Sequence, residues 1–144
     1  MSLTGAYESS NIFAKIIRGE MPAAKVFEDD HTLAFMDVFP QAKGHTLVIP
    51  KQSDARNILD VDPQVLGRLI LTVQRVTRAV ERAFQPDGIM VSQFNGAPAG
   101  QTVYHLHFHI IPRWDGVALG RHGTGMADPA ELAALAHAIA SNLD

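Results

Sequence analysis

The stretch QTVYHLHFHIIPR, residues 101–113, sets His105, His107 and His109 at alternate positions, with Leu106 and Phe108 between them. Alternation with a period of two belongs to a β-strand, where successive side chains point to opposite faces. The pattern predicts a strand over 104–111. Leu106, Phe108 and Ile110 form its buried face, and the three histidines look outward from the sheet. Neighbouring histidines on that face stand about 6.7 Å apart at the backbone, and the outer two about 13 Å. A strand with one apolar face needs sheet partners, and the rest of the chain supplies candidates for them.

Upstream, GIMVSQF (88–94) reads as a strand, joined to the row by the small-residue loop NGAPAGQT. Before it, Asp62 and Pro63 form an N-cap and first helical residue. The helix that follows has apolar residues at 65, 69, 73, 76, 80 and 84 and closes near Pro86. GHTLVIP (44–50) is a strand between Gly44 and Pro50, preceded by the loop FPQAKG. AKVFEDD and TLAFMDV are two more, separated by Asp29, Asp30 and His31 as a hairpin. At the amino end Ser10 precedes a short amphipathic helix carrying Ile12, Phe13, Ile16 and Ile17 and ended by Gly19. Downstream, Asp128, Pro129 and Glu131 begin a final helix with a capping box. The order α-β-β-β-α-β-β-α predicts an α+β fold, a five-stranded and mainly antiparallel sheet with helices packed on it.

The chain has 144 residues, the size of one domain. With 47% hydrophobic and 19% charged residues it has the composition of a folded globular protein. A net charge of −3 gives no general attraction for nucleic acid or anionic lipid. There is no cysteine, which removes disulfides, thiolate nucleophiles and cysteine-ligated metals. No long apolar run or signal-like amino terminus is present, so a cytoplasmic protein that does not span a membrane is expected.

Three chemistries suit the row. It can be a solvated polar face. Two imidazoles at i and i+2 can meet one metal ion at about 2.0–2.1 Å each, with His45 as a further ligand. Or an imidazole can attack phosphorus and form a phosphoramidate intermediate, given nearby donors for the oxygens. Gly96, Ala97, Ala99 and Gly100 let backbone approach a ligand, and Gln101 and Thr102 add an amide and a hydroxyl.

His105-Leu106-His107-Phe108-His109-Ile110-Ile111 resembles the motif His-φ-His-φ-His-φ-φ, with φ apolar, of the histidine triad (HIT) superfamily. NIFAKIIRGEMPAAKVFEDD, TLAFMDVFPQAKGHTLVIPK and NGAPAGQTVYH are similar to its bacterial Hint branch, in order and spacing. The resemblance covers about residues 10–113 of a single domain and leaves 114–144 as a carboxy-terminal loop and helix. It implies a homodimer whose sheets join through the long helix and an edge strand. It also implies hydrolysis or transfer at the α-phosphate of a purine nucleotide, such as a nucleoside 5′-phosphoramidate; dinucleoside polyphosphate hydrolysis and nucleotide binding with little turnover are the alternatives.

By the same resemblance His107 is the nucleophile, and His109 hydrogen-bonds the phosphate and helps protonate the leaving group. His105 supports the row from behind. Gln101 and Thr102 hold phosphate and leaving-group oxygens, with Asn95 beside them. Asp37 binds the ribose hydroxyls, and Phe13, Ile16, Phe35 and Val38 wall the base pocket, positions that spacing alone assigns to the core.

The chain departs from its bacterial relatives at the Cys-x-x-Cys pair that joins two histidines on a structural zinc. Asn11 and Ala14 stand there, so no metal cofactor is expected, and His45 and His105 are expected as a hydrogen-bonded pair. His31, His122 and His137 read as ordinary surface or partly buried residues, and Arg121 as solvated. Trp114 reads as a residue buried against a partner subunit.

Overall fold

The computed structural model describes residues 2–121 and 125–144. His122 therefore lies outside the described residues. Five antiparallel strands form one sheet in the order β1-β2-β3-β5-β4. They are β1 (Lys25–Glu28), β2 (Thr32–Met36), β3 (Thr46–Pro50), β4 (Gly88–Ser92) and β5 (Phe108–Arg113). The helices are α1 (Ile12–Ile17), α2 (Pro63–Phe84) and α3 (Pro129–Ala140).

The caps explain the helix boundaries. The Asp62 carboxylate accepts the Gln64 amide at 2.7 Å and Pro63 takes the first helical position. Asp128 accepts the Glu131 amide in the same way at the start of α3. At α1 the cap is Asn11, not Ser10: its side chain accepts the Ala14 amide at 2.9 Å. Helix α2 ends at Gln85, which takes the left-handed conformation at φ 48°.

The sheet divides the interior. On one face Ala34, Met36, Val48, Phe108 and Ile110 pack under α2 and α3, through Leu69, Val73, Val76, Val80, Leu135 and Ile139. The opposite face carries Leu33, Phe35, Leu47 and Ile49, covered by Phe13 and Ile16 of α1. In β2 and β3 residues of the two clusters alternate along the strand, as the period of two requires. These strands are buried throughout because both faces are covered. His109 pairs with Leu47 in the β3–β5 ladder and so belongs to the α1 face.

Gly44 sets the entry into β3. It sits at φ +90°, and a Cβ there would lie 2.9 Å from the Phe84 ring and 3.0 Å from Pro112. Only glycine lets the chain pass between the end of α2 and β5 without moving one of them. The next residue, His45, is delivered to the α1 face.

Candidate active site

The expected strand over 104–111 is displaced. Strand β5 begins at Phe108, so of the three histidines only His109 belongs to the ladder. The backbone groups just before it are engaged elsewhere, the Leu106 amide on the Ala55 carbonyl at 2.9 Å and the His105 carbonyl on the His107 ring at 2.7 Å. Nor do the histidines face solvent. His105 is 1% exposed, His107 7% and His109 6%, because α1 and the segments around the row roof that face of the sheet. A solvated polar face is excluded, and each ring must satisfy its nitrogens inside the protein.

Those partners assign the protons. The His105 Nε2 lies 2.9 Å from the Pro50 carbonyl, which can only accept, so Nε2 carries the proton. Its Nδ1 then accepts from the Tyr7 hydroxyl at 2.7 Å. Burial pushes the His105 pKa down to about 4, against a smaller upward pull from the Pro50 hydrogen bond. Above pH 6.5 this ring is neutral whether the chain is folded or not. Between pH 6.5 and about 4 the unfolded chain takes up a proton that the folded one does not. Folding stability is therefore expected to fall with pH in that window, by about 3 kcal/mol from this group. Urea midpoints from pH 7 to 4.5 should decline more steeply in the parent than in His105→Gln; parallel declines would remove His105 as the source.

His107 Nδ1 lies 2.7 Å from the His105 carbonyl and must donate to it. The tautomer is thus fixed with Nε2 as the basic nitrogen. The Phe13 ring meets the His107 ring edge to face, centroids 4.9 Å apart, and keeps it from turning.

His109 is linked to His45, Nδ1 to Nε2, at 2.9 Å. The Gln41 amide donates to His45 Nδ1 at 3.1 Å, so the His45 proton sits on Nε2 and points at His109. His109 accepts on Nδ1 and carries its own proton on Nε2. Asp37 lies behind, its Oδ2 3.4 Å from His45 Nε2 and its Oδ1 accepting the Phe39 amide at 2.8 Å. The expected pairing of His45 with His105 is corrected: the β3–β5 register sets His45 beside His109 and His105 at the far end of β3, near Pro50.

Among the described residues Asp37, His45 and His109 offer three ligand atoms within 4.8 Å of one another. Their surroundings do not fit a metal. A ligating imidazole donates its second N–H to an acceptor, whereas His45 Nδ1 faces a donor, the Gln41 amide. The arrangement is that of a hydrogen-bonded relay. The zinc grouping of His45, His105 and His107 is likewise not assembled, since those rings bond to different partners. Neither do Asn11 and Ala14 fit a zinc: the Asn11 side chain caps α1, and Ala14 has no ligand atom.

The loop before the row is braced from inside. Gly96 and Gly100 take φ 89° and 108° around a single 3-10 turn, Ala97–Ala99. Gln101, 2% exposed, accepts the Gly96 amide at 2.8 Å and donates to the carbonyls of Arg56 and Val103 at 2.7 and 3.1 Å. Its amide shapes the loop from within rather than reaching for a phosphate. Asn95 is also turned inward, accepting from the Ile58 amide and the Gln93 side chain. Thr102 is exposed.

Phe13, Ile16 and Phe35 come together, Phe13 and Phe35 with ring centroids 5.4 Å apart. Val38 does not join them and packs against the larger core instead. Three participants carried no sequence signal. Tyr7 reaches His105 from outside any motif. The Gln41 amide is backbone, which no side-chain pattern reveals. Phe94 packs against the His109 ring at 5.1 Å between centroids. His31 and His137 are exposed, as is Arg121.

A family model described as HIT domain matches residues 18–116. The "Protein hit" of Bacillus subtilis is 45% identical over 103 residues, 72% of this chain and 70% of that protein. The Adenylylsulfatase HINT3 of Arabidopsis thaliana is 37% identical over 129 residues, 82% of this chain and 65% of the plant protein. The crystal structure of a Hit-like protein involved in cell-cycle regulation from Bartonella henselae superposes with a TM-score of 0.89 at 51% identity, covering 96% of this chain and all of the other. With the motif, the sheet order and these matches agreeing, the chain belongs to the HIT domain family.

Proposed function

We propose that the protein is a nucleotidyl hydrolase or transferase that cleaves purine nucleoside 5′-phosphoramidates, or related nucleotide conjugates, at the α-phosphate. One observation carries this reading: His107 is held as the Nδ1–H tautomer, which puts the ring's lone pair on Nε2. That nitrogen attacks the α-phosphorus, the bond from phosphorus to the leaving group breaks, and a nucleotidyl-His107 forms. His109, its proton on Nε2, donates to the departing amine or bridging oxygen. Water then attacks phosphorus and gives a proton to His109, the P–N bond breaks, and the nucleoside monophosphate leaves with both histidines restored.

In the same reading the exposed Thr102 and the backbone of the Gly96–Gly100 loop hold the phosphate oxygens. Phe13, Ile16 and Phe35 support the base. Asp37, whose carboxylate lies beside His45, accepts the hydroxyls of a ribose cis-diol. The protein is a homodimer, supported by the edge position of β4 and by Leu71 of α2 and Val91 of β4, 66% and 44% exposed. Trp114 lies toward that edge, just after β5. Among the described residues no helix is long and apolar enough to cross a membrane, in keeping with a cytoplasmic address.

The likeness to an adenylylsulfatase favours a second reading, the same adenylyl transfer with sulfate as leaving group. The test is AMP release from adenosine 5′-phosphoramidate, adenosine 5′-phosphosulfate and a diadenosine polyphosphate, with a chelator present throughout. Phosphoramidate cleaved fastest, with an adenylylated protein seen by mass spectrometry early in turnover, is the expected result. Faster release from another conjugate moves the assignment to that leaving group. Tight nucleotide binding without product over hours identifies a binding module instead.

A further inference from the structure

The segment before α1 is bound to the site by a set of specific bonds. The Arg56 guanidinium donates to the carbonyls of Ala6 and Ser2 at 3.0 and 3.2 Å, and the Asn57 amide to that of Leu3 at 2.9 Å. The Ser2 hydroxyl accepts the Ala97 amide at 2.9 Å, in the loop that precedes the row. Residues 2–7 thus form a strap, and Tyr7 at its end meets the His105 ring with centroids 5.7 Å apart.

Tyr7 is connected to His107 through residue 105, whose ring bonds to the one and whose backbone carbonyl bonds to the other. The Tyr7 O–H donates to His105 Nδ1 at 2.7 Å, and the opposite side of that ring donates to the Pro50 carbonyl at 2.9 Å. The two bonds fix the ring between the strap and the end of β3. The His105 carbonyl in turn accepts His107 Nδ1–H at 2.7 Å. Removing the phenol's proton donor leaves a buried acceptor unsatisfied on one side of the His105 ring, and the ring can relieve this only by turning away from Pro50. That movement disturbs the carbonyl that holds His107. The phenol is a dependable donor, because burial raises its pKa from 10.0, with Asn11 offsetting part of the rise.

We propose that Tyr7 is a positioning residue, which through His105 holds His107 in its nucleophilic tautomer, and that the strap delivers it. The kinetic half of this inference rests on His107 as nucleophile; the structural half does not.

The experiment compares the parent with Tyr7→Phe and with 4-aminophenylalanine placed at position 7, which restores an N–H donor on a ring of similar size. Two readouts are taken, kcat and KM for the best conjugate and long-range 1H–15N spectra of the imidazoles. Tyr7→Phe should lower kcat about tenfold with KM within about twofold, the scale of one lost hydrogen bond, and should mix the tautomers of His107. The aminophenylalanine protein should recover most of both. An unchanged kcat and an unchanged His107 spectrum in Tyr7→Phe overturn the proposal. In the parent itself His105 must be the Nε2–H tautomer, and the opposite tautomer overturns it whatever the variants do. If His107→Ala retains turnover while these spectra behave as expected, the reading of His107 as nucleophile fails and the positioning chain stands.

Discussion

His107→Ala is expected to lose turnover by about four orders of magnitude or more while binding nucleotide within about threefold of the parent. The loss is large because the variant removes the atom that forms the covalent bond, and water positioned by the remaining groups replaces it poorly. Binding survives because the apolar wall and the loop have supports besides this ring. Phe13 and Ile16 rest on Leu33, Phe35, Leu47 and Ile49 of β2 and β3, and the loop is held by Gln101 and Asn95. The measurement is single-turnover AMP release alongside nucleotide titration of the same preparation. Turnover near the parent's in a pure, folded variant would sink the nucleophile assignment.

His45→Ala is expected to be the most damaging change to stability, and to slow turnover as well. The ring is fully buried and touches three polar groups, the Gln41 amide, His109 Nδ1 and the Asp37 carboxylate. Each buried polar group left without its partner costs about 1–3 kcal/mol, and the emptied volume adds to that. A total of about 3–5 kcal/mol, seen as a fall of about 10 °C or more in Tm, is the expected scale. In the fraction that folds, His109 loses the donor that keeps its own proton on Nε2, so the step that protonates the leaving group slows by about ten- to a hundredfold. Differential scanning calorimetry and steady-state kinetics check both halves. A Tm within 2 °C of the parent's would show that the relay contributes little.

The parts of this architecture that follow from local chemistry were legible in the sequence. Asp62-Pro63 and Asp128-Pro129 announce two helices because capping depends on the cap and the next few residues. The alternating strands β2 and β3 are similarly plain, as is the assignment of Leu106, Phe108 and Ile110 to the face opposite His109. What the pattern could not give is where a ladder stops. A period of two continues through His105 and His107, but the Leu106 amide bonds to Ala55 and the His105 carbonyl to the His107 ring, a competition decided by residues up to about fifty positions away. For the same reason local pattern does not identify His109 as the partner of His45. Register follows from the pairing of two strands separated by the whole of α2, and no stretch of either encodes it alone. Tyr7 is the extreme case, one aromatic residue in an irregular segment, meaningful only once Arg56 and Asn57 bind that segment down.

The partition made by the sheet has a further consequence. The layer beneath α2 and α3 contains none of the groups assigned to chemistry, whereas the α1 layer contains them nearly all. Substitutions that reshape Phe13, Ile16 or Phe35 alter what the pocket admits, and the larger core on the other side of the strands carries the fold through them. The molecule is thereby built as a chassis with an exchangeable fitting, and a library confined to the α1 side should yield new substrate preferences at a smaller loss of folded protein than one of equal size spread over both faces.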